Sequence, residues 1–418
     1  MTLDARLLFF TRFTRLFAYG ALSVVLVFYL TGLGLSAPQT GLLFTLILVG
    51  DTLVSLVLTT TADRIGRRRV LVAGALLMAG AGLAFAFTRN FLFLAIAGTI
   101  GVVSPSGNEV GPFLSIEQAV LAQVVPDRNR TATFAWYTLT GSFATAIGSL
   151  CGGMLPGALR AQKFTALENY RSVVLLYAAI GIILAAIFSA LSSATEVTRS
   201  PNESRAPTAT TLGVGRSRKV IFKLAGLFAL DAFGGGFVVQ SLAAYWFHLR
   251  FGINPDTLGA IFFGANVLAG ISALLASRLA ARFGLVRTMV FTHLPSNVLL
   301  ILVPLMPTLP LAITVLLLRF SISQMDVPTR QSYLMAVVRP EERSAAAGIT
   351  GVARTVGASL SPWFVGLMFA RPSWINLPFF IAGTLKILYD LLLYREFVSL
   401  PPPEETPEEI SDPVSDVS

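Results

Sequence analysis

Residues 173–191, VVLLYAAIGIILAAIFSAL, run for nineteen positions without a charge. VLVAGALLMAGAGLAFAF (70–87) and LFAYGALSVVLVFYL (16–30) repeat the pattern. Each approaches the ~20 residues that an α-helix needs to cross a bilayer. Lipid is therefore the expected solvent of most of this chain. Charged residues make up 13% of the 418, about half the ~25% of a soluble domain.

Reading apolar runs against breakers predicts an all-α membrane protein of twelve transmembrane helices. They fall near 8–30, 38–61, 70–88, 92–122, 131–155, 171–192, 221–248, 255–280, 288–307, 309–337, 344–370 and 375–398. The first run is read as a span, not as a cleavable signal. A basic, Pro/Ser/Thr-rich stretch at 193–220 reads as a flexible cytoplasmic linker. It separates an N-terminal six-helix bundle (1–192) from a C-terminal one (221–398), and the acidic, proline-rich 399–418 reads as a disordered cytoplasmic tail. Placing the N-terminus inside puts Lys and Arg on the cytoplasmic side at roughly three to one, as the positive-inside rule requires. Both termini are then cytoplasmic on a multi-pass protein of the cell membrane.

That topology accounts for the net charge of +9, so no nucleic-acid partner is expected. The single cysteine, Cys151, excludes an internal disulfide, and His248 and His293 are too far apart in sequence to suggest a metal site. No GK dipeptide occurs, hence no P-loop for ATP. Nothing resembles a catalytic triad, so an enzyme is not expected.

The two halves resemble each other. QAVLAQVVPDRNRTA (118–132) aligns with QSYLMAVVRPEERSA (331–345) at an offset of 213, and further along Gly153 falls on Gly366. ADRIGRRRV (62–70) lies over AARFGLVRT (280–288), placing Gly66 on Gly284. Two parallel repeats of six helices form a transporter architecture.

TTTADRIGRRR (59–69), following the second helix, resembles the string G-x-x-x-D-R-x-G-R-[KR]-[KR] of the major facilitator superfamily. Asp63, Arg64, Gly66, Arg67 and Arg68 match, and Thr59 replaces the first glycine. Asp63 is expected near the N-terminus of helix 3, where the helix dipole favours an anion, with Gly66 making the turn. The resemblance, which spans essentially the whole chain, implies that Asp63 and Arg67 brace a cytoplasmic contact with helix 11. ATAIGSLCGG (144–153) keeps part of the family's antiporter motif in helix 5, with Gly148, Gly152 and Gly153 present and Ala144 and Ser149 departing from it. The arginine that the family places midway along helix 4 is missing, and Ser104–Glu109 stands in its region.

A charge at the bilayer centre costs about 2.5–3.5 kcal/mol on insertion scales, so each needs a partner or a task. Arg319, Asp326 and Arg330, at i, i+7 and i+11, are expected to form a stripe along one face of helix 10. Asp51 in helix 2 and Arg354 in helix 11 are expected to pair in one state and part in the other. Asp231 precedes three glycines, as befits an unwound segment binding a proton or cation. SPSGNEVGPFLSIEQ (104–118) reads as a broken membrane helix loosened by Pro105, Gly107, Gly111 and Pro112. Glu109 within the break is a candidate coupling or substrate acid. Glu117, opposite Arg330 in the repeat, is expected to reach the arginines of the 64–69 loop as a gate. Phe113, Trp136 and Tyr245 are candidate cavity aromatics.

These features predict a secondary active transporter moving a small molecule by alternating access, powered by a proton gradient with no cofactor. Efflux of an organic compound or drug is the leading expectation. Import or facilitated diffusion of a polar or anionic metabolite, held by Arg12, Arg15 and Arg319, is the alternative. The family resemblance implies a monomer.

Overall fold

Six spans come from seven helices in the first half: Leu3–Gly32 (α1), Ala37–Ile65 (α2), Arg67–Phe87 (α3), Phe91–Ile100 (α4) with Phe113–Val124 (α5), Asp127–Leu159 (α6) and Ala166–Ser189 (α7). The second half uses eight: Arg218–Gly236 (α8) with Gln240–Phe251 (α9), Pro255–Phe283 (α10), Leu285–Leu302 (α11), Leu309–Phe320 (α12) with Asp326–Val337 (α13), Arg343–Phe369 (α14) and Leu377–Phe397 (α15). The computed structural model describes residues 2–109, 111–159, 165–196, 217–339 and 342–398, leaving aside the side chains of 127–132 and 344. Residues 197–216 of the expected linker and the expected tail from 399 onward lie outside the described residues. The linker's edges are helical: 193–195 form a 3₁₀ turn and α8 begins at Arg218.

Among the described residues, nine helical stretches are long and apolar enough to cross a membrane. Spans four and ten are split by breaks into shorter pieces, and span seven breaks between Gly236 and Gln240, after its glycine run. The break in span four is twelve residues long, from Gly101 to Pro112, and is wider than a kink. Its polar backbone is satisfied by neighbours, as lipid demands. Tyr177 donates to the Val102 carbonyl, Thr145 to Gly107, and the Ser241 N–H and hydroxyl donate to Pro105 at 3.1 and 2.6 Å. The Gly111 N–H donates to Asp51 Oδ1 at 2.6 Å.

The repeat governs packing as well as sequence. Gly20 of α1 lies against the Thr145 carbonyl and Gly236 of α8 against that of Ala358, too close for a Cβ at either place. Thr145 and Ala358 are 213 apart, the offset that aligns the helix-4 segments. Gly66 (φ 111°) and Gly284 (φ 85°) both take the left-handed backbone that glycine permits at no steric cost.

The halves meet through these small residues at the end away from the described termini. Gly153 of α6 packs on Pro255 and Gly259 of α10, and Gly366 of α14 packs on Ala37 and Gly41 of α2. The Trp363 N–H donates to Thr45 Oγ1 across the same seam at 3.2 Å. Gln240 adds polar bonds to Ser23 and Ser149 at 2.8 and 2.9 Å. Toward the end where α1 starts and α15 finishes, the face of α14 that carries Gly366 is uncovered: Val352 is exposed and a Cβ on Gly348 would meet nothing within 4 Å. One end of the seam is shut and the other open.

Candidate functional site

Midway along the first half, Arg12 and Arg15 stand one turn apart on α1 and meet two acids of the broken fourth span. Arg15 is wholly buried and grips Glu117 with both terminal nitrogens, at 2.7 and 2.7 Å. Its Nε donates to Glu109 Oε1 at 2.9 Å, and Arg12 Nη1 donates to Glu109 Oε2 at 2.8 Å. Thr11 and Tyr137 hydroxyls complete the shell of Glu117. The arginines lie over aromatic faces, Arg15 over Phe113 at 4.5 Å and Arg12 over Tyr137 at 4.4 Å. Two cations thus neutralise two carboxylates.

This geometry corrects several expectations. Glu117 faces the inside of its own half, bonded to Arg15, and does not reach the 64–69 arginines. Arg12 and Arg15 are engaged by acids of the chain, not left for a substrate. Phe113 is fully buried, stacked on Phe188 at 5.8 Å, so it lines no cavity. Trp136 is 64% exposed. The cations beside the broken fourth span come from helix 1, where Arg12 and Arg15 both bond Glu109 within the break.

The second half carries the same pair with its polarity reversed. Asp231 of α8 accepts from Arg330 of α13 at 3.0 Å, where the first half has Arg15 and Glu117. Lys386 of α15 donates to Asp231 Oδ1 at 2.5 Å, and Asp326 holds Arg330 from one turn away at 3.2 Å. His293 of α11 lies 2.8 Å from Asp390 through Nδ1 and 3.8 Å from Asp231 through Nε2. Asn297 donates to the other Asp390 oxygen at 2.9 Å. Asp231 sits within α8, ahead of the break, and its nearest groups are cations. The expected three-residue stripe on span ten is also interrupted. Asp326 and Arg330 pair, but residues 321–325 break the helix, so the spacing from Arg319 no longer follows a helical face.

Arg319 and Arg354 have no carboxylate within salt-bridge distance among the described residues, and each keeps a buried Nε without a partner. Asp51, likewise, accepts from Gly111 and from Ser55 Oγ at 3.4 Å but meets no cation. Asp51 and Arg354 are not paired here.

In the 62–70 loop, Arg67 Nε bonds Asp63 at 2.9 Å and its Nη1 bonds Gln123 at 3.0 Å. Asp63 ends α2. The anion at the N-terminus of α3 is instead Glu196, which accepts from the Arg67 and Arg68 N–H groups at 2.8 and 3.2 Å. The Arg68 side chain reaches the Leu191 carbonyl at 3.2 Å, while Arg64 is exposed at the end of α2. These partners lie within the first half or, for Glu196, at the near edge of the linker. Sequence reasoning missed Lys386 and Asp390, although their spacing in LPFFIAGTLKILYDLLLY carries the same signal of charge within an apolar run. It also discounted His293.

The family model described as Major Facilitator Superfamily matches residues 8–318 and 224–416. An uncharacterized membrane protein of Saccharomyces cerevisiae is 33% identical over 424 residues, covering 95% of this chain and 94% of that protein. Quinolone resistance protein NorA of Staphylococcus aureus is 25% identical over 148 residues, 35% of this chain and 37% of that one. Among solved structures, a bacterial homolog of the human lysosomal transporter Spinster, in an inward-facing, unoccupied conformation, superposes with a TM-score of 0.71 at 15% identity, covering 95% and 97% of the two chains.

Proposed function

The chain belongs to the major facilitator superfamily of membrane transporters, and on that premise we propose that it exports a small organic solute in exchange for protons. The observation that carries this reading is the seam: shut by glycine contacts at one end, open at the other, with charge clusters between. A solute entering the open end would meet the charged middle and leave when the halves rock about it.

In this reading residues 1–192 and 221–398 are the rocking units, joined by 193–220, and the protein acts as a monomer in the cell membrane with both termini cytoplasmic. The open end is then cytoplasmic, and among the described residues the tertiary hydrogen bonds of the Asp63–Arg68 loop go to Gln123, Leu191 and Glu196, not to α14. Asp51 is the proposed proton carrier, a buried carboxylate with two hydrogen bonds and no cation to hold its charge. Glu109, 15% exposed and shared by two arginines, borders the same break. Export draws support from the likeness to the quinolone resistance protein and from the glycines of α6.

Proteoliposomes with an imposed pH gradient test it across a panel of organic solutes. Wild-type protein is expected to drive solute against its own gradient, and Asp51→Asn to exchange solute while ignoring the proton gradient. Wild-type indifference to that gradient sinks proton coupling.

A further inference from the structure

We propose that His293 is a proton-binding site of the second half, in which an imidazolium bridges Asp390 and Asp231. Four spans build it, apart from Asp51. That its proton takes part in exchange rests on the transporter reading.

The imidazole of His293 is 4% exposed and lies between two carboxylates. Nδ1 is 2.8 Å from Asp390 Oδ1, and Nε2 faces Asp231 Oδ1 at 3.8 Å. Asn297, one turn on, stands 2.9 Å from Asp390 Oδ2 and 3.1 Å from His293 Nδ1, and the Tyr389 ring packs edge-on at 5.9 Å. A neutral imidazole has one N–H to donate, and an ionised Asp390 claims it at Nδ1. Nε2 is then a bare base turned to a carboxylate, across a gap too long for a hydrogen bond. A proton taken from water onto Nε2 supplies the donor, and closing that gap gives each ring nitrogen an anionic acceptor.

Competition for one oxygen makes the site exchangeable. Lys386 Nζ already holds Asp231 Oδ1 at 2.5 Å, while Arg330 Nη1 holds Oδ2 at 3.0 Å. A proton on His293 sets it against Lys386 for Oδ1. Lys386 opposes charge on the ring, whereas Asp390 of α15, Asp231 of α8 and Asp326 of α13 favour it. Arg330 of α13, Arg319 of α12 and Arg354 of α14 add positive charge to the surroundings of Asp231 and Asp326. The charges of α10 (Asp256, Arg278 and Arg282) and the Lys223–Glu396 pair are exposed. Asp231 precedes the break of span seven and Arg330 follows that of span ten, so a proton bound here acts on both broken spans of this half.

The test is nitrogen-15 solid-state NMR of the full-length protein in lipid bilayers, labelled at histidine. The chain has two histidines, so two imidazole patterns are expected. His248→Asn or, where that fails to fold, His293→Gln assigns them by loss. His293 should pass from the neutral, Nδ1-protonated tautomer to the doubly protonated ring between about pH 8 and about pH 5. Asp390→Asn and Asp231→Asn should each weaken that proton binding about tenfold. A ring still neutral at the acid end, or charged at the basic end, overturns the site. So does proton binding that either substitution leaves unchanged. The measurement needs no transport, so the two premises fail separately. A titrating His293 in a protein that ignores an imposed pH gradient refutes the exchange reading and leaves the site. A silent His293 in a protein that follows the gradient refutes the site and leaves exchange through Asp51.

Discussion

A buried arginine–carboxylate pair is informative through the cost of breaking it. Removing one partner leaves an uncompensated charge and costs about 3–5 kcal/mol, whereas replacing both by apolar groups is often nearly neutral. Arg15 and Glu117 are both wholly buried and bonded twice, so Glu117→Gln should lower thermal stability in detergent sharply. Arg15→Met with Glu117→Met should recover only part of it, because Glu109 still needs the Nε donor. A gate residue would behave otherwise, shifting accessibility with little change in melting temperature. The same logic makes Lys386→Met destabilising through Asp231, with Asp231→Asn as the compensating change. The charges themselves were legible in the sequence, because an acid or arginine in an apolar run stands out. Their partners were not, since pairing depends on which helices adjoin and on where a span breaks. Arg319 and Asp326 share a face only on an unbroken helix, and the break at 321–325 removes that premise.

Among elements, glycine sets how closely helices approach, and the repeat sets which glycines matter. Gly41 and Gly366 form one seam and Gly153 and Gly259 its counterpart, each with a facing backbone where a Cβ would sit. Gly41→Val and Gly153→Val should therefore act alike, prying open the shut end and raising modification of cysteines placed beside it. Unequal effects would mean that the two seams are not equivalent. The internal repeat was readable from the 62–70 and 280–288 loops and the 118–132 and 331–345 segments, and with it the twelve-span plan. The length of the break in span four was not. Prolines and glycines signal a weak helix, but the interruption persists because Asp51, Thr145, Tyr177 and Ser241 supply bonds from four other spans.

For the whole molecule, closing the open end must bring α2 and α14 together along the register that their shut ends already fix. Gly41 faces Gly366 and Thr45 bonds Trp363. Ten residues inward from Gly41 is Asp51, and twelve inward from Gly366 is Arg354. At 1.5 Å per residue these lie about 15 and 18 Å from the contact, and at about 100° per residue both side chains turn to the same flank of the helix pair. The difference in depth, ~3 Å, is within an arginine's reach. Closure thus joins Asp51, which meets no cation among the described residues, to Arg354, which meets no carboxylate among them. Asp51→Arg and Arg354→Asp should each keep the open end from closing, read as persistent labelling of cysteines introduced near Val57 and Val352. The double exchange should restore closure and protect those cysteines, even if solute binding stays impaired. Labelling that remains high in the double variant would show that the two residues close against other partners.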